Sequence, residues 1–275
     1  MCKKHYLLNL AIIIAVIGFA TSVGYGEYIC GDANGDGSLN ISDAVFIINY
    51  VFVGGAAPNP GCCSDCPSMV TDIDGNVYQT VLIGDQCWMM ENLKVTHYRN
   101  GDPIPNVTDN TQWYGLTTGA YCDYNNAPGN VATYGRLYNW YAVVDSRNIA
   151  PEGWHVPSDA ELKQLEMYLG MSQAEADATG WRGTDEGGKL KEAGTTHWLA
   201  PNTGATNESG FSALPGGYRS TNGTFYSMGI YATFWSSTEG SSYSAWYRYL
   251  NCDYSQVARG FSSKRYGFSV RCVRD

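Results

Sequence analysis

The stretch Asp32-Ala-Asn-Gly-Asp-Gly-Ser-Leu-Asn-Ile-Ser-Asp43 sets an oxygen donor at nearly every second position, as a wrapped hard cation requires. Asp32, Asn34 and Asp36 take loop positions one, three and five, and Gly37 gives the sharp turn at six. Ser38 offers its carbonyl at seven, Asn40 stands at nine, and Asp43 closes the loop at twelve. This pattern predicts one bound Ca²⁺, with the short Asp43 where a Glu would bind through both oxygens. The segment that follows, residues 42–52, is apolar almost all round through Val45, Phe46, Ile47, Ile48, Tyr50, Val51 and Phe52. A helix of that kind needs cover, from the rest of the chain, a second copy or a partner protein.

A second group of candidates lies in the final third, where Tyr226, Tyr243, Tyr247, Tyr249 and Tyr254 crowd around Arg248. Aromatics with an arginine anchor both protein and sugar sites, so these residues are the expected ligand-binding set. The two-residue period of a strand puts Trp246, Arg248 and Leu250 on one face and Tyr247, Tyr249 and Asn251 on the other. Trp246 and Leu250 read as core, which turns Tyr247 and Tyr249 outward. Half or more of the aromatics in such a sheet simply fill it.

Other chemistry is thin. His5, His97, His155 and His197 are isolated, and none belongs to a zinc pair or a nucleophile motif. His155, at the entry to a helix, reads as a structural hydrogen-bonding residue. Glu91, Glu208 and Glu239 are scattered carboxylates that would have to meet in space to act as a glycosidase pair. Cys252 and Cys272 lie near the ends of two successive strand candidates and are expected to form a disulfide. Cys62-Cys-Ser-Asp-Cys66 lacks the second pair that a zinc site needs.

The elements that must position these groups follow from composition and punctuation. The 32 glycines, 21 tyrosines and 16% charged residues suit a turn-rich sheet protein. The net charge of −9 argues against a nucleic-acid partner, since phosphate binding needs a basic surface. A basic start, an apolar run over residues 7–20 and the small residues Thr21, Ser22 and Gly24 have the layout of a secretory signal peptide over residues 1–26. Without Cys2, eight cysteines remain, an even number suited to an oxidising extracellular setting. Residues 27–57 hold the calcium hand, and 58–68 form a Pro/Gly/Cys linker. Residues 69–275 form an α+β domain. In it, Ser158-Asp-Ala-Glu161 is a capping box opening a helix to Leu169, residues 137–144 read as a second helix, and residues 184–194 as a short helix or loop.

The stretch 31–55 resembles one dockerin type I repeat, which usually closes its loop with Asp. Dockerins carry two repeats, and Asp72-Ile-Asp-Gly-Asn76 lacks the ligands and helix of a second. The resemblance implies a cohesin-like receptor, or self-association, through the helix of residues 42–52. Beyond it, Tyr134-Gly-Arg-Leu-Tyr-Asn-Trp-Tyr-Ala142, Gly153-Trp-His-Val-Pro-Ser158, Gly210-Phe-Ser-Ala-Leu-Pro-Gly-Gly-Tyr-Arg219, Phe234-Trp-Ser-Ser-Thr238 and Gly267-Phe-Ser-Val-Arg-Cys-Val-Arg274 are in the order of the Fibrobacter succinogenes major paralogous domain. That resemblance covers residues 69–275. It implies a variant of the C-type lectin fold, also seen in formylglycine-generating enzymes and in retroelement-diversified binding proteins. The calcium-dependent sugar motifs of lectins proper, Glu-Pro-Asn and Gln-Pro-Asp, are absent, and the paired cysteines of the oxidases have no match. The expected function is therefore a secreted, non-enzymatic binding module at a cell surface or in an extracellular, polysaccharide-directed assembly, its ligand a glycan or a surface protein. The competing reading is an enzyme, glycan-active or cysteine-oxidising.

Overall fold

The computed structural model describes residues 33, 34, 36, 38, 40–56 and 66–275. The segment 1–26 expected to be a signal peptide, Cys30, Asp32, Gly37, Cys62, Cys63 and most of the expected linker at 58–68 lie outside the described residues. The chain divides into two compact units, one reaching Asp65 and the other running Cys66–Asp275. Among the described residues no helix is long and apolar enough to cross a membrane.

In the first unit Asn40 caps the helix Ile41–Ile48, its side chain accepting from the Ser42 N–H while Asp43 reaches back to the Asn40 N–H at 2.8 Å. Two otherwise orphaned backbone donors are satisfied in this way. The helix continues as a π-turn over Asn49–Val53 and stops at Gly54, whose φ of 78° suits glycine. Ala33 and Ile47 form a small core with Phe46, Tyr50 and Val51 against it.

The second unit is α+β and holds three sheets. The first is five-stranded, in the order β1 (Met69–Thr71), β2 (Val77–Ile83), β3 (Gln86–Met89), β13 (Val273–Arg274) and β6 (Trp154–His155). The second orders six strands as β7 (Gly180–Arg182), β12 (Val257–Ser263), β11 (Ser244–Asn251), β10 (Tyr231–Glu239), β8 (Gly216–Arg219) and β9 (Phe225–Met228). The third pairs β4 (Tyr121–Cys122) with β5 (Leu137–Tyr138). Named strands pair antiparallel except β8 with β10.

The helix Asp159–Leu169 opens on Ser158 with the expected reciprocal cap to Glu161 and ends at Gly170, φ 136°. Its apolar stripe of Leu162, Leu165 and Leu169 is buried with Phe234, Leu250 and Val257 of the six-stranded sheet. Each such side chain contributes about 1.5–3 kcal/mol by leaving water. The second helix expected over residues 137–144 is a strand and a single helical turn instead. Leu137–Tyr138 pairs as β5, and Asn139 accepts from the Ala142 N–H to start Trp140–Val143. A short amide side chain in mid-run offered the backbone a cap where the aromatic pattern suggested continuation. The short element at 184–194 is a helix over Glu186–Leu190.

Candidate functional site

Side-chain alternation divides the six-stranded sheet into two chemically different faces. On the face under the long helix, Arg248 is 3% exposed and donates through Nε to Glu166 at 2.6 Å and through Nη1 to Asp159 at 2.7 Å. Arg182 forms a double contact with Glu166, and Arg259 with Asp159. Burial raises the Asp159 carboxyl, and the hydrogen bonds and charge of Arg259 and Arg248 overcome that, holding it at about 2. Arg259 also stacks on Trp246 at 3.8 Å. The assignment of Arg248 to the ligand set is thereby corrected: it sits on the core face with Leu250, where a cation needs carboxylates and finds them.

The opposite face carries a run of aromatic contacts that crosses the sheet. Tyr226 on β9 meets Tyr218 on β8 at 5.7 Å, and Tyr218 meets Tyr266 at 6.0 Å and Phe268 at 6.1 Å. Phe268 touches Tyr247 at 4.9 Å, and Tyr247 stacks on Tyr249 at 5.5 Å with 13° between the rings. Tyr249 then meets Tyr231 of β10 and Trp181 of β7, and Trp181 lies 4.5 Å from Tyr254. Strand β12 is small on this side. Gly260 pairs with Tyr247 and Ala258 with Tyr249, and a Cβ on Gly260 would stand 3.3 Å from the Tyr247 ring. Trp235 and Phe268, both buried, root the run in the core, so the partly exposed tyrosines stand on a rigid base.

Polar atoms separate this run from the aromatics of the interior. Four interior indole N–H groups are committed: Trp113 to the Arg265 carbonyl, Trp140 to Ser236, Trp198 to Ala213 and Trp235 to Tyr138, each at 2.9–3.0 Å. Of the buried tyrosines, Tyr78 donates to Asp72 at 2.6 Å and Tyr138 to the Val95 carbonyl at 2.7 Å, whereas the Tyr98 hydroxyl is buried without a partner. The hydroxyls of Tyr226, Tyr231, Tyr247, Tyr249, Tyr254 and Tyr266 make no hydrogen bond within the described residues. Burial pushes the Tyr247 and Tyr249 hydroxyls up, so both stay protonated donors at neutral pH.

A family model, the Fibrobacter succinogenes major domain, matches residues 81–274. The chain belongs to this family. No curated protein and no solved structure matches it.

Within the major domain, four of the tyrosines expected at a site, Tyr226, Tyr247, Tyr249 and Tyr254, come together on this face. Tyr243 does not join them: it lies in the turn between β10 and β11, 81% exposed, and makes no ring contact. Sequence reasoning missed Trp181, Tyr218, Tyr231 and Tyr266. Only Tyr231 had a signal, the alternation of Tyr231, Thr233 and Trp235 along β10; Trp181 and Tyr218 stand on strands too short to show a period.

The expected Cys252–Cys272 disulfide is overturned. Both are separate buried thiols, and the bridge that forms joins Cys66 to Cys87. The strands of the two cysteines belong to different sheets: Val273 pairs with Trp88 and His155, whereas Asn251 pairs with Tyr231. Cys252 consequently packs with Leu250 and Val257, and Cys272 with Val270 and Trp154 in the other core. Burial pushes the thiols of Cys122, Cys252 and Cys272 up, Cys122 to about 12, which suppresses the reactive thiolate.

The remaining candidates are dispersed. His155 is held between Glu161 at 2.7 Å and Asp275 at 2.6 Å. Glu91 accepts from the Gln79 N–H, Glu239 pairs with Lys264, and Glu208 is exposed. An interior void of about 20 Å³ under the long helix and a cleft of about 230 Å³ beside Asp72, Arg99 and Glu152 lie away from the exposed tyrosines. The Asp72 carboxylate in that cleft is spent on Tyr78, Asn76 and two backbone N–H groups.

In the hand, Asp43 is wholly buried and accepts from the Asn34 and Asn40 N–H groups at 3.3 and 2.8 Å. Asp36 accepts from the Ser38 N–H, and Asn34 from the Asp36 N–H, so each side chain turns its oxygens back along the loop. Among the described residues no three His, Cys, Asp or Glu side chains gather closely enough to hold a metal. Hard oxygens make up the donor set, which fits Ca²⁺; its first member, Asp32, lies outside the described residues.

Proposed function

We propose that the major domain is a lectin-like, non-enzymatic binding module, and that its site is the tyrosine face of the six-stranded sheet. The observation that carries this reading is the line of partly exposed rings in which the hydroxyls of Tyr226, Tyr231, Tyr247, Tyr249, Tyr254 and Tyr266 have no hydrogen-bond partner among the described residues. Hydrogen-bonding capacity left at a surface, on side chains that lose little entropy when they are covered, is what a binding site offers. The raised, buried thiols and the dispersed carboxylates support binding over catalysis. A secreted, cell-surface or extracellular setting fits the Cys66–Cys87 bridge and the apolar leader.

The hand would hold one Ca²⁺ through Asp32, Asn34, Asp36, Ser38, Asn40 and Asp43. Its helix leaves Ile41, Val45, Ile48 and Phe52 exposed at the spacing of one helical stripe, a surface suited to a protein partner of the cohesin-receptor kind or to a second copy. Calorimetry on the full chain should show calcium binding that Asp36→Ala abolishes. For the face, the wild-type chain and Tyr247→Ala/Tyr249→Ala would be taken through glycan-array and purified surface-protein screens. Loss of a ligand by a folded double variant is the expected result, and an unchanged ligand profile would remove the face from consideration.

A further inference from the structure

We infer that the ligand of the tyrosine face is an uncharged polysaccharide strand lying across the β-strands, an inference that rests on the binding reading above. Three observations lead there. First, the central rings spend their faces on one another, Tyr247 and Tyr249 lying nearly parallel, so they offer a partner their edges and hydroxyls. Tyr226 and Tyr254, at the two ends of the run, are 42% and 44% exposed and keep ring surface for stacking. A comb of hydroxyls between two stacking positions matches a polyhydroxylated chain, whose hydroxyls exchange hydrogen bonds with it while its C–H faces settle on the terminal rings.

Second, charge is absent from the run. Among the described residues no cation lies over any of its rings, whereas Arg259 covers Trp246 and Arg219 covers Trp113 and Phe225 elsewhere. The one arginine that sequence placed here, Arg248, is turned to the opposite face and neutralised. A protein contact would draw on arginine beside its aromatics, and an anionic polymer would need cations that a chain of net charge −9 does not set here.

Third, the run is a strip and not a pocket. It crosses from β7 to β9, five inter-strand steps that amount to about 24 Å. The void and the cleft lie elsewhere. An open strip of that length suits several linked sugar units better than a single sugar, which would be buried in a concave site.

The test uses the full chain and neutral hexasaccharides of β-1,4-linked glucose, xylose and mannose, titrated by calorimetry at about 50 and about 500 mM NaCl. At least one should bind, with affinity changing less than about twofold between the two salts. Tyr226→Ala or Tyr254→Ala should weaken it about tenfold, and Tyr247→Phe with Tyr249→Phe by a similar factor, all with wild-type melting. If no neutral chain binds, if only charged chains such as polygalacturonate bind and salt removes them, or if every variant binds normally, the inference is wrong. Should a purified surface protein lose its binding in these variants while no glycan binds, the face remains the site and only the polysaccharide assignment falls.

Discussion

The two faces of the six-stranded sheet are made from the same strands, yet they resolve their polar atoms in opposite ways. Under the long helix, Arg182, Arg248 and Arg259 meet Glu166 and Asp159 in a layer less than a tenth exposed. Across the strands, half-covered tyrosines such as Tyr247 and Tyr249 have hydroxyls with no hydrogen-bond partner among the described residues. Desolvation explains the first arrangement: a buried guanidinium without an acceptor costs several kcal/mol, so the network must close. The second costs little because water can reach those hydroxyls, and that same access leaves them available to a ligand. One face is closed by charge pairing, and the other is the one proposed for recognition.

Removing one partner from the closed face should have the largest effect. Glu166→Ala leaves Arg182 and Arg248 without their main acceptor and should destabilise the domain by about 3–5 kcal/mol, lowering its melting temperature by roughly 10 °C or more. A loss under 1 kcal/mol would mean that the layer is wetter than its burial indicates. Next comes the covalent link. Reduction or Cys87→Ser should cost about 3 kcal/mol, and peptide mapping should find Cys66 joined to Cys87 with Cys252 and Cys272 unlinked.

A matched hydroxyl deletion sharpens the contrast further. Tyr138→Phe strands the buried Val95 carbonyl and should cost about 1–3 kcal/mol, whereas Tyr249→Phe should stay within about 0.5 kcal/mol of wild type in chemical denaturation. Equal costs would erase the distinction between the faces.

The smallest effect is electrostatic and lies away from the tyrosine face, where β6 of the five-stranded sheet meets the start of the long helix. The Glu161 hydrogen bond, opposed by burial and aided by Asp275, raises His155 to about 9. Burial raises Glu161, and its bonds to His155 and Ser158 overcome this to hold it at about 2. His155, raised in the folded state, contributes stability in full below about pH 6.5 that fades as pH climbs through 9. Glu161, depressed, contributes in full above about pH 4.5 and loses it as pH falls through 2. Unfolding free energy should therefore show a shoulder between these values, and His155→Gln should flatten its alkaline side. Binding at the tyrosine face should be level from pH 5 to 8, because burial raises the Tyr247 and Tyr249 hydroxyls and keeps both protonated there.

What the sequence revealed follows from the range of the forces involved. The cap at Ser158, the stripe of Leu162, Leu165 and Leu169 and the alternation of β11 are local patterns, and each stands as read; the helix expected over residues 42–52 forms as Ile41–Ile48 continued by a π-turn, with a cap at Asn40 that the reading did not include. The errors concern pairings between distant segments. Nothing local says that β13 inserts between β3 and β6, and that choice separated Cys272 from Cys252. Arg248 shows the same limit in a single residue: its face was legible, but the carboxylates that claim it come from a helix some 80 residues earlier, Glu166 at a separation of 82. Half the face was readable as aromatic density, while Trp181, Tyr218 and Tyr266 reach it only through tertiary folding.

The most direct test of the division between the two faces is Tyr247→Phe/Tyr249→Phe, measured for unfolding free energy and for affinity toward whichever ligand the wild-type chain binds. An open, recognitional face predicts stability within about 0.5 kcal/mol of wild type and affinity lower by about tenfold. A variant that loses stability while binding unchanged would show that those hydroxyls serve the fold and that the ligand sits elsewhere.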